Sequence, residues 1–129
     1  ESLHPEPNLF GESPIEIASI EMWQARIFNE LMIPLAMGFR HLHPAMSALE
    51  TQNKEYGETQ KNIGIKSLKY FNSVLSESEF VAGDRYTFAD IQMITTTDFF
   101  IGLNRLNLDD YPEIKRHTKL LSLRESFTA

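Results

Sequence analysis

The chain has 129 residues, 42% of them hydrophobic and 11% aromatic, which suits one domain with a real core. Its formal charge is −6, from 12 basic and 18 acidic residues. The basic residues are scattered, and a nucleic-acid or anionic-membrane partner would want a basic face, so both partners are disfavoured. Cysteine is absent, which excludes disulfides, thiolate metal sites and a cysteine nucleophile within these residues.

No apolar run reaches the roughly 20 residues needed to cross a bilayer. The opening Glu1-Ser2-Leu3-His4-Pro5-Glu6-Pro7 lacks the basic-then-apolar form of a signal peptide and has no starting Met, so the chain reads as a piece of something longer. Residues 1–13, with two prolines, Asn8 and Gly11, are expected to form an extended connector. Ser13-Pro14-Ile15-Glu16 is a helix start, with Ser as N-cap, Pro at the first helical position and Glu at the third. Ile17, Ile20, Trp23, Ile27, Leu31, Leu35 and Phe39 recur at three or four residues and predict a helix over 14–41. Pro34 falls inside that pattern and is expected to kink the helix by disrupting the bond to residue 30.

His43-Pro44 ends this helix, and 45–53 reads equally as a short helical turn or a loop. A second long helix is predicted over 54–76, where Tyr56, Ile63, Tyr70 and Val74 share a face beside Leu68, Phe71 and Leu75. Gly57 and Gly64 each cost about 1 kcal/mol there relative to Ala, and Gly64 is placed to let two helices approach closely. A loop over 76–85 contains Phe80-Val81-Ala82-Gly83-Asp84, with Gly83 expected at positive φ. Next comes the strongest local signal. Thr87 is an N-cap, Asp90 three residues on can reach back to its N–H, and Tyr86 with Ile91 can close a hydrophobic staple. The helix that follows, over 88–103, is apolar nearly all round, as a central buried helix would be. Asp110-Tyr111-Pro112-Glu113-Ile114 opens a last helix reaching about residue 122, with Asp110 or Tyr111 as cap. The expectation is all-α: four or five helices over 14–123 around one apolar helix, then a loose tail over 124–129.

Three separated motifs resemble one family. They are Pro7-Asn8-Leu9-Phe10-Gly11 leading to Ile20-Glu21-Met22-Trp23, then 80–91, then Tyr111-Pro112-Glu113-Ile114-Lys115-Arg116. In this order and spacing the chain resembles, over nearly its whole length, the C-terminal domain of a cytosolic, and hence cytoplasmic, glutathione transferase. Phe39-Arg40-His41-Leu42-His43-Pro44 has a bacterial character. The resemblance implies a missing N-terminal thioredoxin-like domain that binds glutathione as co-substrate and activates its thiol. It also implies a helical domain that lines the electrophile pocket and contributes to a homodimer, in a protein serving detoxification. His117 stands where the family commonly has Trp, and Arg124-Glu125-Ser126 where it commonly ends Arg-Pro-Ser.

The resemblance makes the first helix the wall of the active-site cleft. Met32, Leu35 and Phe39 share a helical face and are candidate pocket residues for an apolar electrophile, the alternative being ordinary core. Trp23 is core or cleft wall. A polar residue of this helix reaches glutathione across the dimer in several members. Asn29 falls near the matching place with Arg26 and Gln24 beside it, against the alternative of a solvated face. Asp90, with Tyr86, Thr87 and Ile91, is read as structural rather than catalytic. His4, His41, His43 and His117 lack carboxylates at metal-ligand spacing, so no metal is expected. No phosphate loop or Ser/His/Asp arrangement stands out, so no catalytic residue is assigned within the chain. Two other readings fit the same residues: a non-catalytic interaction module tied to translation or transcription, and a free-standing bundle that binds a small apolar ligand.

Overall fold

The computed structural model describes Leu3 and residues 5–125. Positions 1, 2, 4 and 126–129, the outer parts of the expected connector and tail, lie outside the described residues.

Ser13 caps the first helix by accepting the Glu16 N–H at 3.2 Å, and Pro14 takes the first helical position, where its missing donor costs nothing. Helix α1 (Pro14–Arg26) runs into a π-helical segment (Ile27–Met32) and then α2 (Ile33–Leu42) without a break. The irregularity predicted at Pro34 therefore takes the form of a widened turn just before it, where the Ile33 N–H donates to the Phe28 carbonyl. A wider turn makes room for a proline ring that would otherwise meet the carbonyl four residues back. A short 3-10 turn (Pro44–Met46) follows, and Asn53 then caps α3 (Lys54–Glu77) by accepting the Tyr56 N–H at 3.0 Å.

Helices α2 and α3 meet along a line of glycines. A Cβ on Gly64 would lie 2.5 Å from Leu35 Cδ2, one on Gly57 2.9 Å from His41 Cβ, and one on Gly38 3.3 Å from the Lys61 Cα. The residues that helix propensity penalises are those that let these two backbones approach.

Helix α4 (Phe88–Leu103) buries Ala89, Met93, Ile94, Thr96, Thr97 and Ile101. Around it lie Leu31, Leu35, Leu68, Phe71, Leu75 and Ile114, each at most 1% exposed. One strip of α4 still faces outward, with Phe99 63% exposed. The helix ends in a Schellman pair: Leu106 N–H to the Ile101 carbonyl and Arg105 N–H to the Gly102 carbonyl, both 2.9 Å. A 3-10 turn (Leu108–Asp110) leads to α5 (Pro112–Ser122). Tyr111 holds the cap position of α5 without a side-chain cap bond. The work is done from α3, where Asn72 Oδ1 accepts the Glu113 and Ile114 N–H groups at 2.9 and 3.2 Å.

The inner connector is not extended as expected but turns onto the start of α4. Asn8 Oδ1 accepts the Gly11 N–H at 2.7 Å, and Gly11 has φ 99°. The Phe88 N–H, an otherwise unpaired helix-start donor, donates to the Leu9 carbonyl at 3.0 Å, and the Phe10 and Phe88 rings stack at 5.0 Å. Arg85 completes the attachment, donating to the Asn8 carbonyl and, at 2.6 Å, to Glu16.

Candidate functional site

The predicted site residues lie along the continuous α1–π–α2 helix, and the structure separates them. Leu35 is fully buried against the open face of Gly64, so it is a core residue and reaches no surface of this chain. Gly64 leaves a socket that the Leu35 side chain fills. Met32 and Phe39 are half-buried, with the Phe39 ring 4.8 Å from that of His43. Trp23 is half-buried and packs on Tyr70 and Phe71 at 6.5 and 6.1 Å.

Arg26 is occupied within the chain. Its Nε and Nη2 each reach Glu30 at 3.1 Å, its Nη1 donates to the Tyr70 hydroxyl at 2.6 Å, and the guanidinium lies 4.4 Å from the Tyr70 ring centre. The Glu30 bond, with that of Tyr70, raises its pKa further despite partial desolvation. In this chain the guanidinium fork is thus engaged by Glu30 and Tyr70. Asn29 is exposed and gives one amide bond back to the Ala25 carbonyl at 2.8 Å. Gln24 is half-buried on the same helix.

At Thr87 and Asp90 the predicted reach-back is present. The Asp90 carboxylate accepts the Thr87 N–H at 2.8 Å and the Thr87 hydroxyl at 3.1 Å. It also accepts two bonds that local spacing does not show: the Val81 N–H at 2.8 Å and His117 Nε2 at 2.9 Å. An ionised carboxylate only accepts, and against it the His117 ring proton stands on Nε2. Both side chains are 0% exposed, so no solute meets this His–Asp pair, and Nδ1 of His117 has no partner. The sequence signal for His117 was its register with Ile114 and Leu121, a polar residue on the buried face of α5. Tyr86 turns its ring to Phe80 at 6.3 Å and to the Arg124 guanidinium at 3.9 Å, while Ile91 is half-buried. Burial pushes the Tyr86 hydroxyl pKa up.

A cleft of about 350 Å³ opens where α2 ends, α3 begins and α4 ends. Phe39, Leu42, His43, Lys54, Glu58, Lys61, Leu103 and Arg105 are among its walls. His41 and His43 each accept a backbone N–H through Nδ1, from Asn53 at 3.1 Å and Ala45 at 3.2 Å, and so serve the loop between α2 and α3. Among the described residues no group of three His, Asp or Glu is placed to hold a metal, and no helix is long and apolar enough to cross a membrane.

A long helix widened at its middle, packed on a buried helix whose first turn is tied down by an acidic third residue, defines an all-helical domain of glutathione-transferase type. The family described as "Glutathione S-transferase, C-terminal domain" matches residues 28–125, and the chain belongs to it. Glutathione S-transferase 2 of Saccharomyces cerevisiae is 36% identical over 96 residues, covering 73% of this chain and 41% of that protein. A probable glutathione S-transferase of Oryza sativa subsp. japonica is 29% identical over 115 residues, covering 86% of this chain and 52% of that one. The crystal structure of Gtt2 from Saccharomyces cerevisiae superposes with a TM-score of 0.85 at 30% identity, over 95% of this chain and 60% of that one. A glutathione S-transferase domain-containing protein of Marinobacter aquaeolei gives 0.82 at 29% identity, over 98% and 62%. The chain thus spans about half the length of the curated relatives it matches.

Proposed function

We propose that this chain is the co-substrate half of a cytoplasmic glutathione transferase, in which residues 14–123 follow a short connector and position an electrophile for a thiolate held by an upstream thioredoxin-like domain. Family membership supports the class. The observation that carries the role is the outer face of the first helix. Ile15 is 83% exposed and Met22 45%, two turns apart on one face of the helix. That face suits cover by the upstream domain and by a second subunit, and Asn29 stands exposed beside Phe28 for the amino end of glutathione. Met32 and Phe39, half-buried on the same long helix, supply apolar wall for the electrophile, with Trp23 as the packed base behind them. The domain contributes positioning and exclusion of water, and thiol activation lies upstream.

Two measurements test this. Purified residues 1–129 with glutathione and a chlorinated aromatic should give negligible turnover, and appreciable turnover would place the chemistry here instead. In the longer protein, Phe39→Ala should raise KM for the electrophile with little change in KM for glutathione, while Asn29→Ala does the reverse.

A further inference from the structure

The cleft at the ends of α2 and α4 gathers more positive than negative side chains. In a chain of net charge −6, three cationic side chains, Lys54, Lys61 and Arg105, line one cleft against a single carboxylate, Glu58. None of the three has an ion-pair partner among the described residues. The other arginines are all occupied: Arg26 by Glu30, Arg40 by Glu50, Arg85 by Glu16, Arg116 by Glu113, and Arg124 by the Tyr86 ring.

Arg105 is also set in an unfavourable place. It occupies the residue after the cap of the Schellman turn at φ 56°, the position that glycine takes without penalty and other residues take at a cost. Behind it the floor is fixed. Buried Asn104 donates to the Leu35 and Phe100 carbonyls, both at 3.0 Å, and its Oδ1 would lie 3.0 Å from a Cβ on Gly38, so the cleft keeps its depth only with glycine there. The Ala45 N–H donates to His43 Nδ1, which puts the ring proton of a neutral His43 on Nε2 and adds a donor to the walls. Leu42 and Leu103 supply apolar surface between these groups.

We infer that this cleft binds a small phosphate monoester. The uncompensated charge is about that of a dianion, the Arg105 fork suits phosphate oxygens bidentately, and the leucines take a compact apolar ester group. The site borders the proposed electrophile wall at Phe39 but requires neither glutathione nor the upstream domain.

The test uses the 129-residue chain labelled with ¹⁵N and titrated with phenyl phosphate, with inorganic phosphate and phenol as parallel arms. Phenyl phosphate should bind saturably, shift amides around 38–43, 54–61 and 103–105 selectively, and weaken as salt rises. Arg105→Gly relieves the positive φ, so it should raise the urea midpoint while weakening phenyl phosphate by roughly tenfold or more, the loss expected for one charge-assisted contact. Lys61→Gln should weaken it similarly, and Glu58→Gln should tighten it. Phenol binding as tightly as phenyl phosphate would show that charge plays no part, and inorganic phosphate binding as tightly would show the same of the apolar wall. Either result overturns the inference, as does unchanged affinity in Arg105→Gly.

Discussion

Replacing Asp90 by alanine removes the acceptor for four donors at once, and three of them are buried with no other acceptor among the described residues. The Thr87 N–H, the Val81 N–H and His117 Nε2 reach the carboxylate at 2.8, 2.8 and 2.9 Å, while the Thr87 hydroxyl at 3.1 Å can rotate elsewhere. Stranding a buried donor costs about 1–3 kcal/mol, so the variant should lose about 3–6 kcal/mol after partial relaxation. That is a large share of the roughly 5–15 kcal/mol that holds a domain folded. Urea unfolding followed by Trp23 fluorescence reads it directly, because that ring packs on core Phe71. Refolding should slow as well, since the lost bonds start the helix at the centre of the core. A cycle with His117→Phe separates the contributions: without its ring donor one stranded group disappears, so the double variant should cost less than the two single changes added. An unchanged midpoint and refolding rate in Asp90→Ala, or strict additivity in the cycle, would refute the reasoning.

Gly64→Ala should destabilise by about 1–3 kcal/mol, because the new methyl lands 2.5 Å from Leu35 Cδ2 and the overpacked pair must separate; urea midpoints check it. Gly102→Ala, on the same helix scale but with nothing within 4 Å, should stabilise by about 0.5–1 kcal/mol in that assay. Glu16 titrates below its ordinary value, first because Arg85 donates to its carboxylate and then because the Glu12 N–H does. Its folded pKa is the depressed one, so the contact's contribution is complete above the unfolded pKa and is lost as pH falls through the folded value. Carboxyl NMR titration should show Glu16 returning toward the ordinary value in Arg85→Met, with amide exchange at Gly11 and Phe88 rising in the same variant.

Helix positions were legible because each carries its own local chemistry: Ser13-Pro14, Thr87 with Asp90, and Pro112 announce starts whatever surrounds them. Gly64 was legible as a close approach because glycine in a long helix has few other reasons to be there. What was illegible was made by distant partners. Asn72 serves α5 from the middle of α3, and His117 serves the first turn of α4 from 27 residues away. A helical face says which side chains point together, not what stands opposite, and opposite Leu35 stands Gly64. Opposite Arg26, in the same way, stands Tyr70 of α3. The basic cleft is not legible locally, because Lys54 and Lys61 stand on α3 and Arg105 in the turn after α4, and only the packing of α2 against both at Gly38 brings them to one place.

The start of α4 is where these separate threads meet. Its first turn holds the 80–83 loop through the Val81 N–H, holds α5 through His117, and receives the connector at Phe88. Arg85, one residue before Tyr86, ties that same connector to Glu16 on α1. A polar group this deep costs several kcal/mol unless fully bonded, and Asp90 is bonded on both oxygens, so the arrangement is all or none. Connector, loop and two helices therefore settle together or not at all. In the longer protein proposed above, the segment entering through Leu9 and Phe10 would thus be fixed to the most buried helix rather than to the surface. On that proposal an upstream domain would have a rigid attachment, and the most readable stretch of this sequence lies at the domain's structural centre because that is where the most partners converge on one carboxylate.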